Sequence, residues 1–113
     1  MNQRKIPRRH LIFYLRVFDR ETGVPVGNLV DITSEGVMLV SEHELGVGNL
    51  YHLRMELPAE MFPHGRLDLD AECLWSGNDV NPEFFDSGFR LLNIDEKALS
   101  CIRYLLDMYG FAD

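Results

Sequence analysis

The chain has 113 residues, enough for one domain with one core and too few for two. With 46% apolar and 26% charged residues it has an ordinary globular composition, and two cysteines are too few for a secreted disulfide scaffold of this size. Its apolar runs stop far short of the roughly 18 to 20 residues that span a bilayer, and a net charge of −7 argues against a general nucleic-acid binder.

Positive charge is unevenly distributed. Arg4, Lys5, Arg8, Arg9, Arg16 and Arg20 are six of the eleven Lys and Arg, and Asp19 is the one acid among the first twenty residues. The other ninety-three residues carry five basic and seventeen acidic side chains. A basic arm, residues 1–10, therefore precedes an acidic domain, residues 10–110. The arm lacks the apolar segment and cleavage site of a signal peptide, so a cytoplasmic location and no membrane insertion are expected.

Taken in order, His10 to Asp19 reads as a strand, with Leu11, Phe13, Leu15 and Val17 on one face. Glu21-Thr22-Gly23 is a turn, and Val24 to Ile32 a second strand whose start is weakened by Pro25. Thr33-Ser34-Glu35-Gly36 is a tight reversal in which Gly36 is expected to take a positive φ. Val37 to Val40 forms a third strand, and Tyr51, Leu53, Met55 and Leu57 alternate with polar residues in a fourth.

The fifth strand alternates most clearly. Leu67, Leu69, Ala71, Cys73 and Trp75 face the expected core, while Asp68, Asp70 and Glu72 face water. Phe85 to Leu92 is a sixth strand. Asn93 and Glu96 fit a capping box for a helix over about residues 94–109, with Ala98, Leu99, Ile102, Leu105 and Leu106 at helical spacing and Gly110 at its stop. Six evenly spaced strands and one closing helix imply an all-β fold with a C-terminal helix, a small six-stranded antiparallel β-barrel.

No motif for catalysis stands out. His10, His43, His52 and His64 are scattered over different elements, without the spacing of a metal site. The carboxylates of Asp68, Asp70 and Glu72 fall on the solvated face of a strand, so no enzyme and no cofactor are expected. Two stretches do suggest ligand chemistry. In Arg4-Lys5-Ile6-Pro7-Arg8-Arg9 four cations surround a proline that stiffens the segment. Arginine fits phosphate oxygens and the O6/N7 edge of guanine with two parallel hydrogen bonds. In Asp31-Ile32-Thr33-Ser34-Glu35-Gly36 a carboxylate can accept from guanine N1 and N2, a hydroxyl follows two residues on, and a glycine lets a ligand approach the backbone.

Together, Arg4 and Arg8 at RxxxR spacing and Asp31, Thr33 and Gly36 as DxTxxG resemble the PilZ domain family, over about Arg4 to Ile94. Lys5 with Arg9 has the same spacing, but the proline before Arg8 matches the family's usual run. The resemblance implies a six-stranded barrel with a C-terminal helix that binds cyclic di-GMP. Arg4 and Arg8 would grip phosphates and guanine edges, Asp31 would face a guanine, Thr33 would stand at the family's serine, and Gly36 would permit close approach. Arg9, outside the family pattern, is added as a further cation. On this reading the chain is a receptor that changes conformation with ligand and signals to a protein partner in motility, biofilm or surface-polysaccharide control. A barrel that serves only as an interaction module is the alternative. The helix face and the partly apolar first strand offer surface for a homodimer.

Overall fold

Alternation along the strands decides the architecture, because each strand can bury only one face. The computed structural model describes residues 15–59, 62 and 65–109. Its strands are β1 (Arg16–Asp19), β2 (Pro25–Ile32), β3 (Gly36–Ser41), β4 (Leu50–Glu56), β5 (Arg66–Asn78) and β6 (Phe85–Leu92), followed by helix α1 (Glu96–Tyr109). They close into an antiparallel barrel in the order β1-β2-β3-β6-β5-β4. Closure is made by β1 against β4, where Val17 pairs with Met55. The part of the expected first strand before Leu15 lies outside the described residues.

Inward residues fill the barrel. Val17, Leu29, Leu39, Ala71 and Cys73 are fully buried, and Leu53, Met55, Leu69 and Phe89 nearly so. From α1, Ile102 and Leu105 are fully buried in the same core, worth roughly 1.5–3 kcal/mol each. Across the groove between helix and barrel, Ala98 and Cys101 face Leu57 and Leu67. Tyr104 packs its ring edge-on against Phe62, 5.4 Å between centroids. Both cysteines are free, and burial pushes both thiols up, away from the reactive thiolate.

The helix start differs from the capping box read from the sequence. Asp95 is the cap: its Oδ1 accepts from Ala98 N at 2.8 Å, and its carbonyl accepts from Leu99 N at 2.9 Å. Asn93 instead turns the chain out of β6 with φ at 51°, a conformation that asparagine tolerates better than most residues.

On the outer face, carboxylates pair with cations across neighbouring strands. Arg54 Nε lies 2.9 Å from Asp68 Oδ1, and Arg16 Nη2 lies 3.0 Å from Glu56 Oε1. Arg20 Nη2 and His52 Nδ1 each lie 2.8 Å from Asp70 Oδ1. Arg16 and Arg20 are therefore tied to the barrel.

The Asp70 hydrogen bond raises the pKa of His52, and Glu21, 3.9 Å from its Nε2, adds to the effect. A histidine raised in the folded state contributes stability in full below its unfolded pKa of about 6.5, and loses it as pH rises through the higher folded value. Resistance to urea should therefore fall modestly between about pH 6 and pH 8, the pair being well exposed to solvent. His52→Gln should flatten that slope, and an unchanged slope would assign it to other groups.

Candidate functional site

Strands β2 and β5 both break their alternation, and both breaks turn a side chain toward the same outer face. In β2, Leu29 and Ile32 are both buried although they lie three positions apart. A regular pleat would send them to opposite faces. The register against β3 slips between Leu29 and Asp31, so Val30 is the extra residue, Ile32 returns to the core and Asp31 faces outward. In β5 the register against β6 slips between Cys73 and Trp75. Bulges of this kind bend a strand and re-aim its side chains.

The second bulge overturns the expectation that Trp75 shares the core face of Leu67 and Leu69. Cys73 is fully buried, whereas Trp75 is 47% exposed, because the extra residue at Leu74 flips everything downstream. The indole rests on the backbone of Gly88, where a Cβ would lie 2.2 Å from Trp75 Nε1. Gly36 is needed for a similar reason. A Cβ there would come within 2.6 Å of the Phe89 carbonyl oxygen. The positive φ expected at Gly36 is not found; Gly23, Gly48 and Gly65 have it instead.

Between the two bulges lies a groove of about 250 Å³, lined by Asp31, Thr33 and Gly36 on one side and by Trp75 and Gly88 on the other. It adjoins a larger one of about 690 Å³ that shares Thr33 and Gly36 and reaches Arg90. The fold thus brings the three expected residues of the 31–36 stretch together and adds Trp75, Gly88 and Arg90. A sequence signal for Trp75 exists. Leu74 is apolar at a position where alternation calls for a polar residue, and two adjacent bulky apolar residues at the end of a strand point to a bulge.

Hydrogen bonding fixes the turn and leaves specific groups facing out. Thr33 N donates to Gly36 O at 2.8 Å, and Thr33 Oγ1 accepts from the amides of Glu35 and Gly36, each at 3.1 Å. The hydroxyl keeps its own proton to donate. Asp31 Oδ1 accepts from Ile32 N at 2.9 Å. Among the described residues, no hydrogen bond engages Asp31 Oδ2.

The groove has little positive charge of its own. Among the described residues lining its two parts, Arg90 is the one cation, and it is paired with Glu72. Arg4, Arg8 and Arg9 lie outside the described residues. The described chain begins at Leu15, whose carbonyl accepts from Leu29 N at 2.8 Å. Since β1 is antiparallel to β2, its upstream end points along β2 toward Asp31. Among the described residues no cluster of His, Cys, Asp and Glu could hold a metal ion, and no helix is long and apolar enough to cross a membrane.

Comparison with known proteins agrees with the fold. A family model described as the PilZ domain matches residues 2–107. Among solved structures, the chain resembles the inhibitor of motility MotI/DgrA from Bacillus subtilis, with a TM-score of 0.65 and 16% identity over 89% of this chain and 48% of that one. It resembles equally the PilZ domain with c-di-GMP of YcgR from Escherichia coli, with a TM-score of 0.65 and 15% identity over 87% of this chain and 82% of that one. PlzA of Borreliella burgdorferi in complex with c-di-GMP gives a TM-score of 0.57 and 14% identity over 91% and 48%. The chain thus spans about half the length of MotI/DgrA and of PlzA. No curated protein matches it.

Proposed function

The chain belongs to the PilZ domain family, and on that premise we propose that it is a non-enzymatic receptor for cyclic di-GMP whose bound form signals to a protein partner. One observation carries the reading: two bulges in different strands turn Asp31 and Trp75 into one groove floored by glycine backbone. A planar base needs a flat apolar face to stack on and an acceptor at its edge. Trp75 offers the face, and Asp31 Oδ2 can accept from guanine N1–H and N2–H. Thr33 has a hydroxyl proton for an oxygen of the ligand, Gly88 seats the indole, and Gly36, placed close to the Phe89 carbonyl, keeps the groove edge free of a side chain.

The ligand's two phosphates require cations, and among the described lining residues the one cation, Arg90, is already paired with Glu72. Arg4 and Arg8 supply them in this reading, with Arg9 as a third, and their forked geometry also suits the O6/N7 edge of guanine. Placement of the arm over the groove changes the surface offered to a partner, as in other segment switches. The kinship with YcgR and PlzA, both named with c-di-GMP, supports the choice of ligand. Control of motility, biofilm or surface polysaccharide is the process this implies, in the cytoplasm, with a homodimer as one way to present the altered surface.

The test is a calorimetric titration of the full chain with cyclic di-GMP. Saturable heat at about tens of micromolar or below is expected. A flat titration would leave a PilZ barrel that works only as an interaction module.

A further inference from the structure

A second groove, of about 650 Å³, crosses the outer face of β2, β3 and β6 beneath the β5–β6 turn. Its floor is apolar, with Met38, Val40 and Phe84, and its rim is acidic, with Glu42, Asp79 and Asp86. Asp79 and Asp86 line this rim together, and partial burial, with Asp79 as its acidic neighbour, raises the pKa of Asp86. Two carboxyls this close either share a proton or call for a cation.

The same chain carries the inverse pattern. Residues 4–9, Arg-Lys-Ile-Pro-Arg-Arg, place two apolar residues between two pairs of cations. The described chain begins beside the groove: Leu15 O is bonded to Leu29 N, between the groove residues Asn28 and Val30. From Leu15 back to Arg9 is six residues, a reach of about 20 Å in extended chain, against domain axes of 34 × 30 × 21 Å. A tether of that length gives an effective concentration on the order of millimolar, which a cationic segment of another protein must exceed to compete. Met38 lines both this groove and the one holding Asp31 and Trp75, so the two sites adjoin.

We propose that, without nucleotide, the groove between Glu42, Phe84 and the Asp79–Asp86 pair holds the chain's own 4–9 segment, and that cyclic di-GMP must draw the arginines off it. The acidic groove is then an internal competitor that sets the apparent affinity for the messenger. Occupation of the groove stands independently of nucleotide binding; the competition rests on the proposed function.

The amide resonances of Asp79, Phe84 and Asp86 in the nucleotide-free full chain test it. Replacing Arg4, Lys5, Arg8 and Arg9 with alanine should shift these resonances while leaving those on the far side of the barrel, such as Asp68 and Asp70, in place. Asp79→Asn/Asp86→Asn should reciprocally shift the amides of residues 4–9. It should also tighten cyclic di-GMP binding about three- to tenfold, by raising the fraction of chains whose arm is free to engage. Unmoved groove amides in the arm variant would overturn the proposal and leave the groove to a cationic segment of another chain. Shifted groove amides in a chain that gives no heat with cyclic di-GMP would uphold the docking and fail only the receptor reading.

Discussion

Replacing Arg4 and Arg8 together with alanine should reduce cyclic di-GMP affinity by about two to four orders of magnitude, to the point where calorimetry detects little or nothing. The size follows from charge. The ligand is a dianion, whereas the described groove residues include Asp31 and Glu35, with Arg90 already paired to Glu72. Hydrogen bonds to charged groups contribute roughly 1.5–3 kcal/mol each, and each 1.4 kcal/mol is about tenfold in affinity. Arg4→Lys/Arg8→Lys should recover only part of the loss, because lysine keeps the charge but not the two-pronged geometry. Full affinity in the double alanine variant would remove Arg4 and Arg8 from the site. In that case Lys5→Ala/Arg9→Ala becomes the variant that distinguishes the other register from no role at all.

The second large effect is expected at Trp75. Trp75→Ala should weaken cyclic di-GMP binding about 5- to 150-fold, the equivalent of the roughly 1–3 kcal/mol that aromatic stacking contributes per base. Its effect on unfolding should stay within about 1 kcal/mol, as for a surface residue that packs on one side only. A tryptophan in the core would behave in the opposite way, costing about 3–5 kcal/mol of stability on truncation. The two measurements separate the roles. A strongly destabilised variant with unchanged affinity would return Trp75 to the core, against its 47% exposure.

Much of the barrel was legible in the sequence because antiparallel strands with one wet face write their orientation as alternation. The fifth strand shows it best: Leu67, Leu69, Ala71 and Cys73 are buried, while Asp68 and Glu72 meet Arg54 and Arg90 on the neighbouring strands and Asp70 meets Arg20 in the turn after β1. The sixth strand spans the expected residues, Phe85–Leu92. Alternation, however, assumes an unbroken pleat. One extra residue at Val30 and another at Leu74 reverse the faces downstream, and those reversals form the groove. For that reason Asp31 is legible only through its motif, and alternation alone puts Trp75 on the core face.

Two smaller differences have local causes. Asn93 and Asp95 are both good caps, and the choice between them rests on which backbone takes up the helical conformation, which composition does not record. As a turn glycine, Gly36 would need an unusual φ. Its actual constraint is long-range, the Phe89 carbonyl on β6 against which no side chain fits. A close approach across strands leaves no local mark in the sequence.

Trp75 is the only tryptophan of the chain, so the emission of the unaltered protein reports on this groove alone. The account predicts that titrating the full chain with cyclic di-GMP quenches that emission saturably, with a midpoint matching the calorimetric one, as a guanine stacks on the indole. Calorimetric saturation with no change in tryptophan emission would contradict it, since the nucleotide would then be bound somewhere other than the groove between the two bulges.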